Sequence, residues 1–186
     1  MIVRLAACLA LAAAAAPAPA RTVEGVEVPD EVTAEGARLA LNGVGLRRAT
    51  LFKVKVYVGA LYLATPSRDA DAIVAADEPR TVHMTFLRDV EKDKVLGAFR
   101  EGFEKNSASQ ARELVPLLDR IAKVIPATMK PRQALVVTYA PGKGTTVVGP
   151  EGAATVEGKP FADALLRNWL GRDPADGDLK KAMLGS

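Results

Sequence analysis

The chain has 186 residues, of which 49% are hydrophobic and 25% charged, with one cysteine (Cys8) and one histidine (His83). These values are typical of one globular domain. A structural zinc site needs about four cysteine or histidine ligands, and a disulfide framework needs paired cysteines, so both are excluded within the chain. Any histidine-dependent catalytic triad would have to use His83.

The first twenty residues are typical of a secretory signal peptide. Arg4 is their only charge, an apolar run covers residues 5–16, and the segment ends in Ala18-Pro19-Ala20, which fits the small-x-small cleavage rule. The run is shorter than the ~20 residues that span a bilayer. The sequence therefore predicts cleavage after Ala20, a periplasmic protein and no stable membrane insertion afterwards. An uncleaved N-terminal anchor is the alternative.

Charge and motifs in the remaining chain, residues 21–186, argue against several partners. The loss of Arg4 leaves 24 of the 25 basic residues against 22 acidic ones, and this weak net charge of +2 gives no electrostatic case for nucleic acid binding. Gly43-x-Gly45 lacks the third glycine of a dinucleotide-binding motif. The segment 142–145 resembles the end of a P-loop but precedes a predicted strand. We expect one domain that holds no cofactor and no metal.

Three strands are predicted in the first part of the chain. Residues 22–28 form a short edge strand, residues 36–49 a strand with a glycine-rich break at 42–45, and residues 51–64 the clearest strand. In this last strand one face is apolar, and the other is polar from Lys53 to Tyr57 and apolar beyond. The residues expected on the apolar face are Phe52, Val54, Val56, Val58, Ala60 and Tyr62.

The remaining pattern alternates helices with strands. The predicted elements are a helix over 69–77, a strand over 80–88, a helix over 91–106, a helix that opens at a capping box Ser107-x-x-Gln110 and ends at Pro126, short strands within 134–156, a helix over 159–170 followed by Gly171 as its C′ residue, and a short helix over 176–184. Each helix is apolar on one side only. This order predicts an α+β fold, a mainly antiparallel sheet with helices packed on one face.

Two features could bind an anion. Arg47 and Arg48 follow a Gly-x-Gly that lets the backbone bend, and Tyr57 lies on the less apolar face of the next strand. An arginine can bind a carboxylate through two parallel hydrogen bonds, and a tyrosine hydroxyl can add a third. Ordinary surface residues are the alternative. His83 shares a strand face with Thr85 and is interpreted as a half-buried structural residue.

Two segments, 41–63 (LNGVGLRRATLFKVKVYVGALYL) and 158–185 (GKPFADALLRNWLGRDPADGDLKKAMLG), resemble the chalcone isomerase-like family. The first is similar to the family's Gly-x-Gly-x-Arg and following strand, and the second to a helix ending in Trp-Leu-Gly in an exported bacterial branch. The resemblance covers roughly residues 25–185. It implies an open-faced β-sandwich, in which helices layer on a large antiparallel sheet.

The resemblance implies two different functions. Plant chalcone isomerases use an arginine with four further polar groups, of which only Arg47 has a match here, so Arg47 is at most a weak candidate for catalysis. In the fatty-acid-binding branch an arginine and a tyrosine hold a carboxylate while the acyl chain lies between sheet and helices. Arg47 and Tyr57 match those positions, and Arg48 is an alternative partner. Thr85 and His83 are further candidates for a polar group near the ligand.

Three hypotheses therefore stay open. The first is non-catalytic binding of a fatty acid or a similar amphipathic carboxylate. The second is a structural or partner-binding envelope protein, whose protein partners the sequence does not name, and in which the protein's own side chains would fill the cleft. The third is an isomerase of unknown substrate, which needs a second polar or acid/base group within ~3 Å of a substrate bound at Arg47, for which Tyr57, Thr85 and His83 are the candidates.

Overall fold

The computed structural model describes residues 20–49 and 52–186. The predicted signal peptide lies outside the described residues, apart from Ala20, which begins the first strand. The strands are β1 (Ala20–Val23), β2 (Val26–Pro29), β3 (Glu31–Ala34), β4 (Ala37–Ala49), β5 (Val54–Leu63), β6 (Arg80–Phe86), β7 (Val90–Glu91), β8 (Thr128–Met129), β9 (Ala134–Ala140), β10 (Gly144–Gly149) and β11 (Gly152–Val156). The helices are α1 (Ala70–Ala75), α2 (Lys92–Asn106), α3 (Ala108–Leu114), α4 (Leu118–Ala122), α5 (Lys159–Leu170) and α6 (Gly177–Met183).

A seven-stranded antiparallel sheet organises the molecule, with strand order β11-β10-β9-β6-β5-β4-β3. The helices lie on one face, where apolar side chains of β5, β6 and β9 meet those of α2 and α5. The aromatic pairs Phe99–Trp169 and Phe103–Phe161 join these two helices edge to face, with ring centroids 6.0 Å and 5.7 Å apart. The predicted α+β architecture is confirmed.

The opposite face of the sheet carries a smaller apolar cluster around Val58, Ala60 and Tyr62. The hairpin of β1 and β2 covers it, and the Tyr62 hydroxyl donates to the main-chain oxygen of Pro29 over 3.1 Å. Both faces of the long strand β5 are therefore buried beyond Tyr57. The expected solvated end is confined to the start of the strand, where Lys55 is exposed.

The first two predicted strands differ in detail from those observed. Residues 22–28 form two strands instead of one, because Glu24 and Gly25, with φ of 51° and 74°, make a tight turn between β1 and β2. The expected break in β4 is a β-bulge at Asn42, and the strand continues through it. The amide of Asn42 compensates for the lost pairing by bonding the main chain of Ser67 and the oxygen of Met183.

The glycines of β4 serve close packing. A Cβ built on Gly43 would lie 2.1 Å from the main-chain oxygen of Ala182, and one built on Gly45 would lie 2.5 Å from the Ala182 side chain. Helix α6 therefore lies directly on β4, and only glycine leaves room for it. The sequence predicted that these glycines let the backbone bend. In the structure, glycine is required because helix α6, more than a hundred residues away in sequence, packs against them.

The capping box predicted at Ser107 is wrong. The Ser107 side chain makes no cap hydrogen bond, and its Oγ is buried without a partner among the described residues. The expected single helix is instead α3, a 3₁₀ turn at Val115–Leu117 and α4, because Pro116 lacks the N–H of a regular helix. Gly171 follows α5 as expected, but its φ is −65°. A side chain is excluded because an added Cβ would lie 2.4 Å from both the main-chain oxygen of Arg167 and Oδ1 of Asn106.

Candidate functional site

A cavity of about 640 Å³ lies between the helix-bearing face of the sheet and helices α2 and α5. Its walls are mostly apolar side chains from the start of β5, the end of β6 and the inner face of α2. The main ones are Val54, Val56, Met84, Phe86, Val95 and Phe99. Ligand pockets commonly measure 300–1,000 Å³ and are lined mainly by apolar groups. The cleft is therefore open and has the size of a small-molecule site.

A β-bulge shapes the sheet side of this cavity. Arg47 pairs with Tyr57 across β4 and β5, but Arg48 pairs with Lys55, so Val56 is an extra residue in β5. A regular strand would place Val56 and Tyr57 on opposite faces. The bulge re-aims this part of the strand, and both residues line the cavity.

Tyr57 brings a buried hydroxyl to the cavity wall, and 7% of the surface of this residue is exposed. Its oxygen accepts a hydrogen bond of 2.9 Å from the indole Nε1–H of Trp169. Burial raises the pKa of Tyr57 to about 12, and the bond from Trp169 and the charge of Arg47 oppose this shift only in part. Tyr57 therefore stays protonated at neutral pH, and its hydroxyl can donate a hydrogen bond.

Arg47 brings a positive charge to the same wall, and its side chain is 21% exposed. Its Nη1 lies 3.9 Å from Oδ2 of Asp176, which is an ion pair too long for a hydrogen bond. The Asp176 carboxylate is already used: Oδ1 caps α6 by accepting from the main-chain N–H groups of Asp178 and Leu179, and Oδ2 accepts from that of Arg48. Among the described residues, no hydrogen bond occupies the Arg47 guanidinium.

The other sequence candidates lie elsewhere. Arg48 contributes a main-chain donor to Asp176, and its side chain is absent from the described cavity lining. Thr85 sits between Met84 and Phe86, which both line the cavity, so strand alternation places Thr85 on the opposite face. His83 shares that face, where its ring lies 4.9 Å from that of Tyr62 and burial lowers its pKa. The structure thus brings together Arg47 and Tyr57 and separates them from Thr85 and His83.

Two further buried residues with polar groups on the cavity wall escaped sequence analysis, as did Arg88, Asp89, Glu91, Lys94 and Thr128, which are less buried. Trp169 was expected only as an inward-facing helix residue, yet it holds the Tyr57 hydroxyl. Asn168, its neighbour, also lines the cavity, while its amide donates to the main-chain oxygens of Ala164 and Leu165. The single tryptophan of the chain was a usable signal, because a buried indole N–H normally requires an acceptor.

The chemistry available in the cavity is recognition of an anion next to an apolar surface. Across residues 20–49 and 52–186, no cluster of three or more histidine, cysteine, aspartate or glutamate side chains could hold a metal ion. No helix within these same residues is both long enough and apolar enough to cross a membrane. Arginine and tyrosine donors beside apolar walls suit a molecule with a carboxylate head and an apolar tail.

Architecture and cavity together define an α+β protein with a large curled antiparallel sheet, helices on one face and a ligand-sized space between them. The chain belongs to the chalcone isomerase-like family, whose model matches residues 20–185. The predicted family and fold are confirmed. No curated protein matches the sequence.

A solved structure with the same fold is that of a fatty-acid binding protein from Arabidopsis thaliana. It superposes with a TM-score of 0.72 at 18% sequence identity, and the match covers 89% of this chain and 96% of that one. At this identity the likeness establishes the shared fold.

Proposed function

We propose that this protein is an exported, non-catalytic member of the chalcone isomerase-like family that binds a fatty acid or a similar amphipathic carboxylate in the cavity between sheet and helices. The observation that carries the proposal is the pairing of Arg47 and Tyr57 on one wall of a mainly apolar cavity of about 640 Å³. The name of the similar Arabidopsis protein supports the same ligand class.

Each part of such a ligand has a matching surface. The carboxylate receives a charged hydrogen bond from the unoccupied Arg47 guanidinium and a second one from the Tyr57 hydroxyl, which burial keeps protonated. The acyl chain lies against Val56, Met84 and Phe86. Each buried CH₂ group contributes ~0.8 kcal/mol, so the tail supplies most of the affinity and the donors fix the orientation.

The two alternatives from the sequence receive less support. A cleft filled by its own side chains would have favoured a structural or partner-binding protein, and the cleft is open. An isomerase would need a second polar or acid/base group at the ligand. Asp89, Glu91 and Lys94 line the cavity, but all three are exposed, and Asp89 is paired with Lys130. With a pKa of about 12, Tyr57 is a poor base at neutral pH, and His83 lies on the other face of the sheet.

Native mass spectrometry of the purified protein, followed by lipid extraction, tests the ligand. The test variant is Arg47→Met and the matched control is Arg48→Met, which removes an adjacent charge whose side chain does not line the cavity. Truncating one partner of a buried charge pair costs 2–5 kcal/mol, and for the partly exposed Arg47 we expect the lower end, about a 30-fold to 100-fold loss of affinity.

The expected result is a stoichiometric apolar acid on the parent protein and on Arg48→Met, and its absence from Arg47→Met. An apo mass for all three after incubation with a fatty-acid mixture would refute the proposal. Equal retention by both variants would refute the assignment of Arg47. Export is tested separately, by fractionating cells and measuring the N-terminus: the proposal requires a periplasmic protein that begins at Arg21.

A further inference from the structure

The turn between β4 and β5 carries the most exposed large hydrophobic side chain among the described residues. Phe52 is 89% exposed, and the next such residue, Val148 on β10, is 47% exposed. The two residues lie at opposite sides of the sheet, because β10 is next to the edge strand β11 and β4 is next to the other edge strand, β3. A single exposed apolar residue is ordinary on a protein surface, so the position of Phe52 has to carry the argument.

Phe52 adjoins the mouth of the cavity. Ala49 ends β4 and Val54 begins β5, and both line the cavity. Phe52 lies between them in the chain, two residues before Val54. Phe52 is thus within three residues of the cavity lining on either side, so a surface that holds Phe52 also lies close to this end of the cavity.

Cations surround the same end of the sheet. Arg48 and Lys55 are direct cross-strand partners, a like-charge pairing that is unfavourable within a sheet and concentrates positive potential there. Lys53 follows Phe52 in the turn. Arg88 is exposed and lines the cavity, and β6 brings it beside the start of β5, because the N–H of the preceding residue bonds Val56.

The nearby carboxylates offset this charge only in part. Glu24 is held by Lys55 over 2.7 Å, and Asp89 is held by Lys130 over 2.6 Å. Glu91 is exposed at the cavity and has Lys94 as a neighbour on the lining. Among the described residues, the side chains of Lys53 and Arg88 form no ion pair.

We propose that the β4–β5 turn docks on the surface of an anionic lipid bilayer, with Phe52 inserted among the acyl chains and Lys53 and Arg88 at the level of the phosphates. One aromatic anchor with a few cations gives weak, reversible membrane association. Docking in this orientation places the cavity mouth against the bilayer. The inference goes beyond ligand binding, because it concerns the surface at which a ligand enters or leaves.

Vesicle sedimentation tests the proposal. The protein purified from an exporting host is mixed with sucrose-loaded vesicles of equal parts phosphatidylglycerol and phosphatidylcholine, or of phosphatidylcholine alone. We expect binding to the anionic vesicles that weakens with salt, and little binding to the neutral ones. Phe52→Ser lowers the partition coefficient at least about tenfold, which is the lower limit set by the free energy of burying a phenylalanine side chain. Val148→Ser, the matched control, leaves it unchanged.

Charge reversal gives an independent result. Lys53→Glu lowers binding to the anionic vesicles about 30-fold, since each cation near such a surface contributes about 1 kcal/mol and the reversal changes two charges. Equal losses in Phe52→Ser and Val148→Ser, or equal binding to both vesicle types, would overturn the proposal. Dimerisation in sedimentation velocity that depends on Phe52 would assign the turn to a second copy of the chain instead.

Failure of the docking proposal is distinguishable from failure of ligand binding. In vesicle-free solution Phe52→Ser retains the affinity of the parent protein for a fatty acid, because its side chain lies outside the cavity. Arg47→Met, in contrast, loses the ligand and still sediments with anionic vesicles. If Phe52→Ser lost the ligand in solution, the turn would belong to the ligand site and docking would be refuted.

Discussion

The bond between Trp169 and Tyr57 allows a quantitative prediction. Tyr57→Phe keeps the ring and removes the acceptor of the buried Trp169 Nε1–H, which is 2.9 Å away, while Trp169 is only 1% exposed. A buried donor left without a partner costs about 1–3 kcal/mol. We therefore expect Tyr57→Phe to lower the free energy of unfolding by that amount, which is about 2–9 °C in Tm for a domain of this size.

A double-mutant cycle isolates this bond from the packing of the rings. In a Trp169→Phe background there is no indole N–H that could lose its acceptor. Tyr57→Phe should then lower the free energy of unfolding by no more than about 0.5 kcal/mol. The difference between the two backgrounds, about 1–2 kcal/mol, is the coupling energy of the pair. Urea denaturation followed by circular dichroism measures all four proteins without relying on tryptophan fluorescence.

The same cycle connects stability to ligand binding. Tyr57→Phe should weaken fatty-acid binding about 10-fold to 150-fold, because a hydrogen bond to a charged group contributes about 1.5–3 kcal/mol. Trp169→Phe should weaken it less, since Tyr57 keeps its hydroxyl and loses only the bond that holds it. An equal loss of stability from Tyr57→Phe in both backgrounds would refute the reasoning, because the hydroxyl would then act independently of Trp169.

Two further predictions concern packing and pH. Gly43→Ala should lower the free energy of unfolding by about 3 kcal/mol, because the added Cβ would lie 2.1 Å from the main-chain oxygen of Ala182 in α6. Gly97→Ala in α2 should raise it by about 1 kcal/mol, because the added Cβ meets nothing within 4 Å. Similar Tm values for the two variants would contradict this prediction. Burial is the main reason why the pKa values of Tyr57, Tyr62 and Tyr139 are each raised to about 12. Folding thus favours the neutral phenols, so the free energy of unfolding should fall as pH rises from about 10 to 12, and an absorbance titration of the native protein with a midpoint near 10 would be inconsistent with this.

Much of the local structure was predictable because it depends on short-range patterns. The alternation in residues 80–88 and the apolar stripe in residues 159–170 each indicate the element that forms there, β6 and α5. The errors occurred where a distant contact decides. Ser107 has the sequence of a cap, but its backbone φ of −143° and ψ of 37° join two packed helices, and its side chain is buried.

The candidate site was only partly readable for the same reason. The resemblance of residues 41–63 to the family pointed to Arg47 and Tyr57, and the structure places both on the cavity wall. Their role in binding stays a prediction. Period-2 alternation correctly separates Thr85 from Met84 and Phe86, but nothing local indicates which of the two faces carries the cavity. That choice is made by α2 and α5, which pack on one face only.

The sequence by itself determined the α+β class and the order of the main elements, because these follow from periodicity and turn residues, and its resemblance to the family indicated the family and two candidate donors, Arg47 and Tyr57. Only the tertiary structure decided that the cleft is open, that a bulge at Val56 brings neighbouring residues to the same wall, and that Trp169 holds the Tyr57 hydroxyl. These features depend on contacts between segments as far apart as Tyr57 and Trp169. Their energies depend on three-dimensional proximity and burial, which no local pattern in the chain encodes.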